Sequence, residues 1–380
     1  MKKSLLDIVL IHHADDRVSE PYVNAVTRAF EYVRPDTSVS QFSDIEDPWE
    51  RVQVISCSSA AEVVKVLSRE ETPTLYVVLV SDLLVNTQDF AESLNKVAEV
   101  LPRKEGGSRN ALCYSYSDTA ILSLPKKLSQ RQAKETGALG EQRIRPFRLA
   151  LQSLHRARLV LGLPMESASL RLFLSHAKAD GVFFAQALQH SIDQVPELEC
   201  IYDAKDIPSG SDWACKLQDA ASNSVLIALR TPAYEQRLAC REEFETALLH
   251  GVPIVVIDGM TMSSISGPSH LPFSAMPTVR IADGNTHRVL NAALREHLRL
   301  LLMNAIANEK MVDCTDLEFR VWPRFPCISA MSAGSQSSAY WLVPQSQVLE
   351  ADLQATRNWL ASINSALKLE VLEQFRPLPT

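Results

Sequence analysis

Between residues 170 and 259, short apolar runs alternate with amphipathic stretches and polar loops. Leu172, Phe173 and Leu174 form a compact apolar run that gives way to Ser175 and His176. That is the pattern of a buried parallel strand releasing the chain into a loop at its carboxyl end. Phe183, Phe184, Ala187, Leu188 and Ile192 then recur at three- and four-residue spacing, which predicts a helix with this stripe against a sheet. A second strand is expected over 199–202, followed by the loop DAKDIPSGSDW, where Pro208 and Gly210 exclude regular structure. Another helix, a strand over 225–229, a helix opening near Cys240 and a strand over 254–257 complete the series. Strands and helices taken in turn call for an open parallel sheet.

The same alternation runs through residues 7–117. Strands are expected over 8–11, 52–55, 75–80 and 112–116, with helices over 60–67 and 90–101 and one bearing Val23, Val26, Phe30 and Val33 on a single face. This is a second open α/β unit. Its opening, Val9 to Asp15, echoes Leu172 to Lys178, and the strand before Ser81 echoes the strand before Thr231, which suggests a diverged internal duplication. Glu92 is the nearest acidic residue to the helix start that would correspond to Cys240-Arg241-Glu242-Glu243, and it reads as a solvated helix position. The expected organisation is therefore an N-terminal α/β unit over 1–120, a connector over 121–166, a second α/β domain over 167–310 and an extension over 311–380. The connector carries Lys126, Lys127, Arg131, Lys134, Arg143, Arg145, Arg148, Arg156 and Arg158 against Glu135 and Glu141. A solvated helical linker fits it better than a phosphate-binding surface, because Phe147 is its lone interleaved aromatic. In the extension, strands are expected over 317–322 and 340–343, then an amphipathic helix carrying Leu349, Leu353, Trp359, Leu360, Ile363 and Leu367, all packed on one of the α/β units.

At 380 residues the chain exceeds what one core accommodates, and 46% hydrophobic with 22% charged residues is an ordinary globular balance. The net charge of −7 offers no general attraction to nucleic acid or an anionic membrane. The opening MKKSLLDIVLI is broken by Asp7 and lacks a small-residue cleavage site, so it reads as a first strand and not a leader. No apolar stretch approaches the ~20 residues of a membrane span. The seven cysteines are scattered without CxxC spacing, which fits reduced thiols in a cytoplasm. The histidines show no zinc spacing, and neither a metal nor a bound cofactor is expected.

Several motifs in order over 175–257 make this stretch resemble a TIR (Toll/interleukin-1 receptor) domain. SHAKAD over 175–180 resembles the opening SHxxxD. Asp203, Asp206, Ile207, Pro208, Ser209, Gly210 and Trp213 resemble the BB loop, and Thr231-Pro232-Ala233-Tyr234 resembles S-P-x-Y. Cys240-Arg241-Glu242-Glu243-Phe244 resembles C-x-x-E followed by an apolar residue, and Gly251-Val252-Pro253 fits G-x-P. Ala239 departs from the family, which usually has Trp before the cysteine.

The resemblance implies a flavodoxin-like parallel sheet with the ligand at the carboxyl ends of its strands. It also implies an enzyme of the bacterial NAD-consuming type, which breaks the nicotinamide-ribose bond of NAD as substrate, with Glu243 as the catalytic carboxylate. Chemically, a departing nicotinamide leaves an oxocarbenium-like ribose, which a fixed, ionised glutamate stabilises. Glu242 lies about 100° away on the helix, so one of the pair faces the cleft. The alternative is that Glu242, Glu243 and Glu245 merely suit a helix N-terminus. Ser175, His176, Asp203, Asp206 and Tyr234 are the expected NAD-site residues. For His176 a structural hydrogen-bonding part is the alternative, for Asp203 and Asp206 loop capping, and for Tyr234 and Trp213 packing. Ser175 and Asp180 shape the loop, and Cys240 lacks an activating histidine for a nucleophilic part. The resemblance further implies self-association through TIR domains, an activator bound by the flanking regions, and a part in anti-phage defence. A non-catalytic TIR scaffold acting through the BB loop is the competing function.

Overall fold

In the computed structural model the described residues are 4–31, 48–69, 72–102, 107–115, 119–132, 145–161, 169–202, 224–259, 271, 273, 276–280, 286–311, 319–321, 340–343, 354, 357–358 and 368–371. The chain divides between residues 168 and 169 into two compact units.

The first unit is built on four strands, β1 (Leu6–Ile11), β2 (Val52–Cys57), β3 (Thr74–Val80) and β4 (Arg109–Ser115), all parallel in the order β2-β1-β3-β4. β1 and β3 are buried at every position, as central strands covered on both faces must be. Val9, Ile11, Cys57, Tyr76, Val78 and Val80 face α2 (Ala60–Leu67) and α4 (Gln88–Val100). α3 (Asp82–Asn86) precedes α4 and is capped by Ser81, whose hydroxyl accepts the Leu84 N–H. α1 (Glu20–Phe30), after β1, buries Tyr22, Val26, Ala29 and Phe30, so its inner face is wider than the apolar spacing implied.

The expected connector is not a solvated linker. α5 (Lys126–Ser129) packs beside α4 and β4, and α6 (Arg145–Val160) packs on α1, β3 and β4, burying Leu149 through Leu154 and Ala157 through Val160. Two of its arginines are interior. Arg131 donates to Asn110 Oδ1 at 2.9 Å and to the Pro102 carbonyl at 2.8 Å, and fully buried Arg158 lies 3.1 Å from His155 Nδ1. Desolvation lowers the Arg158 guanidinium to about 9. Counting charges along 121–166 missed this, because a long cationic side chain can spend its donors on carbonyls inside the fold.

The second unit carries β5 (Leu170–His176), β6 (Leu198–Tyr202), β7 (Ser224–Arg230), β8 (Ile254–Asp258) and β9 (Thr278–Arg280), parallel in the order β6-β5-β7-β8-β9. The short edge strand β9 was not anticipated. α7 (Val182–Asp193) joins β5 to β6, α8 (Leu238–Leu249) joins β7 to β8, and α9 (Thr286–Met311) packs on β7, β8 and α7. The stripe expected on α7 is corrected. Ala185, Leu188 and Ile192 are its buried face, while Phe183, 77% exposed, and Phe184 point outward. α8 stops by a paired reverse bond: Gly251, at φ 67°, donates to the Leu248 carbonyl, and Val252 donates to that of Ala247. Gly251-Val252-Pro253 is therefore the stop signal that delivers the chain into β8.

β10 (Phe319–Val321), β11 (Tyr340–Val343) and β12 (Lys368–Val371) form a three-stranded parallel sheet, and β10 lies beside α9. β12 was not foreseen, and most of the helix expected over 349–367 lies outside the described residues.

The two larger sheets share their strand order, and their central strands can be matched position by position, although more chain separates β1 from β3 than β5 from β7. β1 pairs Asp7 with Thr74, and β5 pairs Arg171 with Ser224. Counting equal steps from these anchors brings Ile11 to Ser175, Asp16 to Asp180, Ser81 to Thr231, Leu84 to Tyr234, Gln88 to Leu238 and Ser93 to Glu243. The helix starts coincide on that count, since α4 opens at Gln88 and α8 at Leu238. The sequence echo, which set His12 beside Ser175, is thus out by one residue. In a strand one residue is the difference between the two faces.

Replacing Arg131 with Ala removes the buried charged donor from Asn110 Oδ1, which keeps the Ala111 N–H, and from the Pro102 carbonyl, and is expected to destabilise the first unit by roughly 1–3 kcal/mol. Faster amide exchange along β4 in the full chain checks this; unchanged protection there contradicts it.

Candidate active site at the carboxyl edge of the second sheet

The loops leaving β5 and β7 meet where the strand order reverses, between neighbours whose connecting helices lie on opposite faces of the sheet. Asp180 ties them together. Thr231 Oγ1 donates to Asp180 Oδ1 at 2.6 Å, and the Ala233 N–H donates to Oδ2 at 3.0 Å. The turn under Asp180 is close-packed, since a Cβ on Gly181 would stand 2.9 Å from the Ala177 carbonyl oxygen. Asp180 therefore shapes the loop.

Alternation along β5 sends Phe173 and Ser175 toward α8, and Leu174 and His176 toward the other face. On the α8 side Ser175 Oγ lies 2.6 Å from Glu243 Oε2 and 2.8 Å from Tyr234 Oη. The serine has one proton, and the carboxylate takes it, so Tyr234 must donate to the serine oxygen. Burial pushes the Tyr234 phenol well above its ordinary range and keeps that proton in place. Tyr234 is fully buried, and its ring, with that of Phe244, meets the edge of Phe273. The Arg230 guanidinium lies 4.9 Å from the Phe273 ring centre and 3.4 Å from Glu235. Glu243 is half-buried and Glu242 exposed, which agrees with the quarter-turn separation of the two.

Two expected contacts are reassigned. Tyr234, with no exposed surface, cannot touch a ligand and instead holds Ser175. His176 turns to the opposite face from Glu243 and stacks on Tyr202, with ring centres 5.1 Å apart and planes 6° from parallel. That stack does not replace the platform missing at Ala239, which is exposed on the first turn of α8. Ser175 is nearly buried and reaches the site through its hydroxyl. Asp203, Asp206 and Trp213 lie outside the described residues.

Cys240 is buried and donates to the His176 carbonyl at 3.4 Å. Burial, with the Glu243 charge adding, raises its thiol to about 11. It is a neutral packing group. No cluster of three or more His, Cys, Asp or Glu side chains suited to a metal occurs among the described residues.

The sequence motifs did not point to Phe273, on which Tyr234, Phe244 and Arg230 rest, or to Tyr202 beneath His176. Both lie outside the short patterns, and only the folded chain brings them to the edge.

Residues 172–274 match the family model of the TIR domain, and the second unit of the chain carries a TIR domain over that stretch. No curated protein matches it. Among solved structures, the C-terminal domain of glucosamine-fructose-6-phosphate aminotransferase from Francisella tularensis is 11% identical, with a TM-score of 0.21, over 79% of this chain and 85% of that one. Tagatose-6-phosphate ketose/aldose isomerase from Escherichia coli is 10% identical, with a TM-score of 0.22, over 79% and 83% respectively. Likenesses this slight have no bearing on the site. No described helix is long and apolar enough to cross a membrane.

With its thiol raised to about 11, Cys240 holds roughly a thousandth of its population as thiolate at pH 8. Iodoacetamide at that pH is expected to leave Cys240 unmodified in the folded chain and to modify it after denaturation, read by peptide mass. Rapid labelling of the native protein would contradict a buried neutral thiol.

Proposed function

We propose that the TIR domain cleaves the bond between nicotinamide and ribose in NAD. Supporting this is the placement of one half-buried carboxylate, Glu243, at the carboxyl edge of a parallel sheet, with Ser175 donating to it at 2.6 Å. Nicotinamide in NAD is already a cationic leaving group. The C–N bond breaks with its electron pair going to the ring nitrogen, and the positive charge left on the ribose is stabilised by Glu243. Water then attacks the ribose and loses a proton to solvent, giving ADP-ribose; attack by a nitrogen of the same molecule's adenine would give a cyclic product. None of these steps calls for a nucleophilic side chain.

Self-association, an activator held by the flanking regions and a part in anti-phage defence extend this reading from the TIR resemblance. A second reading, a TIR scaffold without turnover, is favoured by the outward Phe183 and Phe184, whose rings meet edge to face 5.8 Å apart on the first turn of α7.

Purified full-length protein incubated with NAD at high protein concentration is expected to release nicotinamide. Glu243→Gln should lower that rate by about 10²–10³-fold while leaving the melting temperature near that of the wild type. No release by the wild type, or equal release by both proteins, would reject the enzymatic reading, and silence of a self-associating wild type would favour the scaffold.

A further inference from the structure

We infer that Tyr234 and Ser175 form a hydrogen-bond relay that keeps Glu243 ionised in acid, their hydroxyls positioning the carboxylate while the Tyr234 ring belongs to the core. The inference rests on the reading of Glu243 as the working carboxylate and adds the device that tunes it.

Direction is fixed at each link. Tyr234 donates to Ser175, which must then turn its own proton to Glu243 Oε2 at 2.6 Å, a short separation typical of a hydroxyl on a carboxylate. Donation to the charged form stabilises that form and holds protonation off to lower pH. Tyr234 is itself held in place, because Asp180 grips the N–H of Ala233, the residue before it, and the Thr231 hydroxyl. Among the described residues, the ionisable groups near Glu243 and Cys240 include Cys240 on α8, Arg237 and Tyr234 just before it, and Asp180 on the loop after β5, while His176 lies on the opposite face of the strand. Of these, Tyr234 is linked to the carboxylate through the Ser175 hydroxyl.

The first unit provides a comparison within the same chain. Where the second sheet has Ser175, Tyr234 and Glu243, the first has Ile11, Leu84 and Ser93. Ile11 and Leu84 are fully buried in one apolar cluster with Phe90 and Leu94, and the Ser93 hydroxyl is spent on the Asp89 carbonyl. The strand order is the same through the first four strands, and the helix starts coincide. The architecture therefore forms without either hydroxyl. Where the carboxylate is missing, both hydroxyls are missing with it, while the acidic loop position persists as Asp16. Hydroxyls required by the fold would not be exchanged for Ile and Leu in a sheet of the same register.

The test is the pH profile of nicotinamide release by the full chain. Ser175→Ala should move the acid limb of kcat/KM upward by about one pH unit. Tyr234→Phe keeps the ring against Phe273 and should move it the same way by less. Because the two act in series, the double variant should match Ser175→Ala instead of adding a second shift. Ser175→Thr, which keeps the hydroxyl, should restore the wild-type limb and stands in should Ser175→Ala not fold. The carboxyl titration of Glu243, followed by 13C NMR with Glu243→Gln for assignment, reads the same shift without turnover. It therefore separates failure of the relay from failure of the enzymatic reading. Superimposable titrations of wild type and Ser175→Ala, or fully additive shifts, would overturn the relay.

Discussion

The second unit is organised by a carboxylate held at a sheet edge through a hydroxyl. Ser175 comes from the end of a central strand and Glu243 from the first turns of the helix after the neighbouring strand β7, and 2.6 Å separates their oxygens. Such a contact forms only if the two elements are fixed independently. β5 is fixed by partners on both sides, and α8 by Phe244, Ala247 and Leu248 in the core beneath it. A half-buried carboxylate loses water, and a charge-assisted hydrogen bond offsets part of that loss. The site thus depends on hydrogen bonding at its centre and on apolar packing around it.

Asp180 does related work one layer out. It spends both carboxylate oxygens on the segment after β7, one on a hydroxyl and one on a backbone N–H, and so sets where Tyr234 enters the core. Phe273, which precedes β9, supplies the floor on which Tyr234, Phe244 and Arg230 meet. Electrostatics, backbone ties and aromatic packing converge on one edge of one sheet, and the same edge of the first sheet is filled by Ile11, Leu84 and Phe90.

That contrast shows that the same strand order forms with and without polar side chains at its carboxyl edge. The order β2-β1-β3-β4 needs alternate apolar positions on central strands and helices long enough to cover both faces. It does not need a hydroxyl at the end of β1. Ile11, Leu84 and a Ser93 bonded to its own helix stand in the first sheet where the second has Ser175, Tyr234 and Glu243, and each fits a two-sided sheet.

Hydrophobic periodicity determined the two parallel α/β sheets, the order of their strands in the chain and the loop positions of the motif residues, because burial on both faces of a sheet leaves its mark on nearly every residue. Helical geometry allowed one of Glu242 and Glu243 to face the sheet, since it separates neighbours by about 100°, and the TIR resemblance pointed to Glu243. Which face of β5 each side chain takes was decided by the folded register, and with it the parts of Ser175 and His176. Burial decided that Tyr234 supports the site from behind and that Arg131 and Arg158 belong to the interior, since a side chain's type does not reveal whether partners wait for it inside. The outward turn of Phe183 and Phe184 was likewise a tertiary outcome: an apolar stripe can be drawn through several phases of one helix, and only the neighbouring sheet selects which of them is buried.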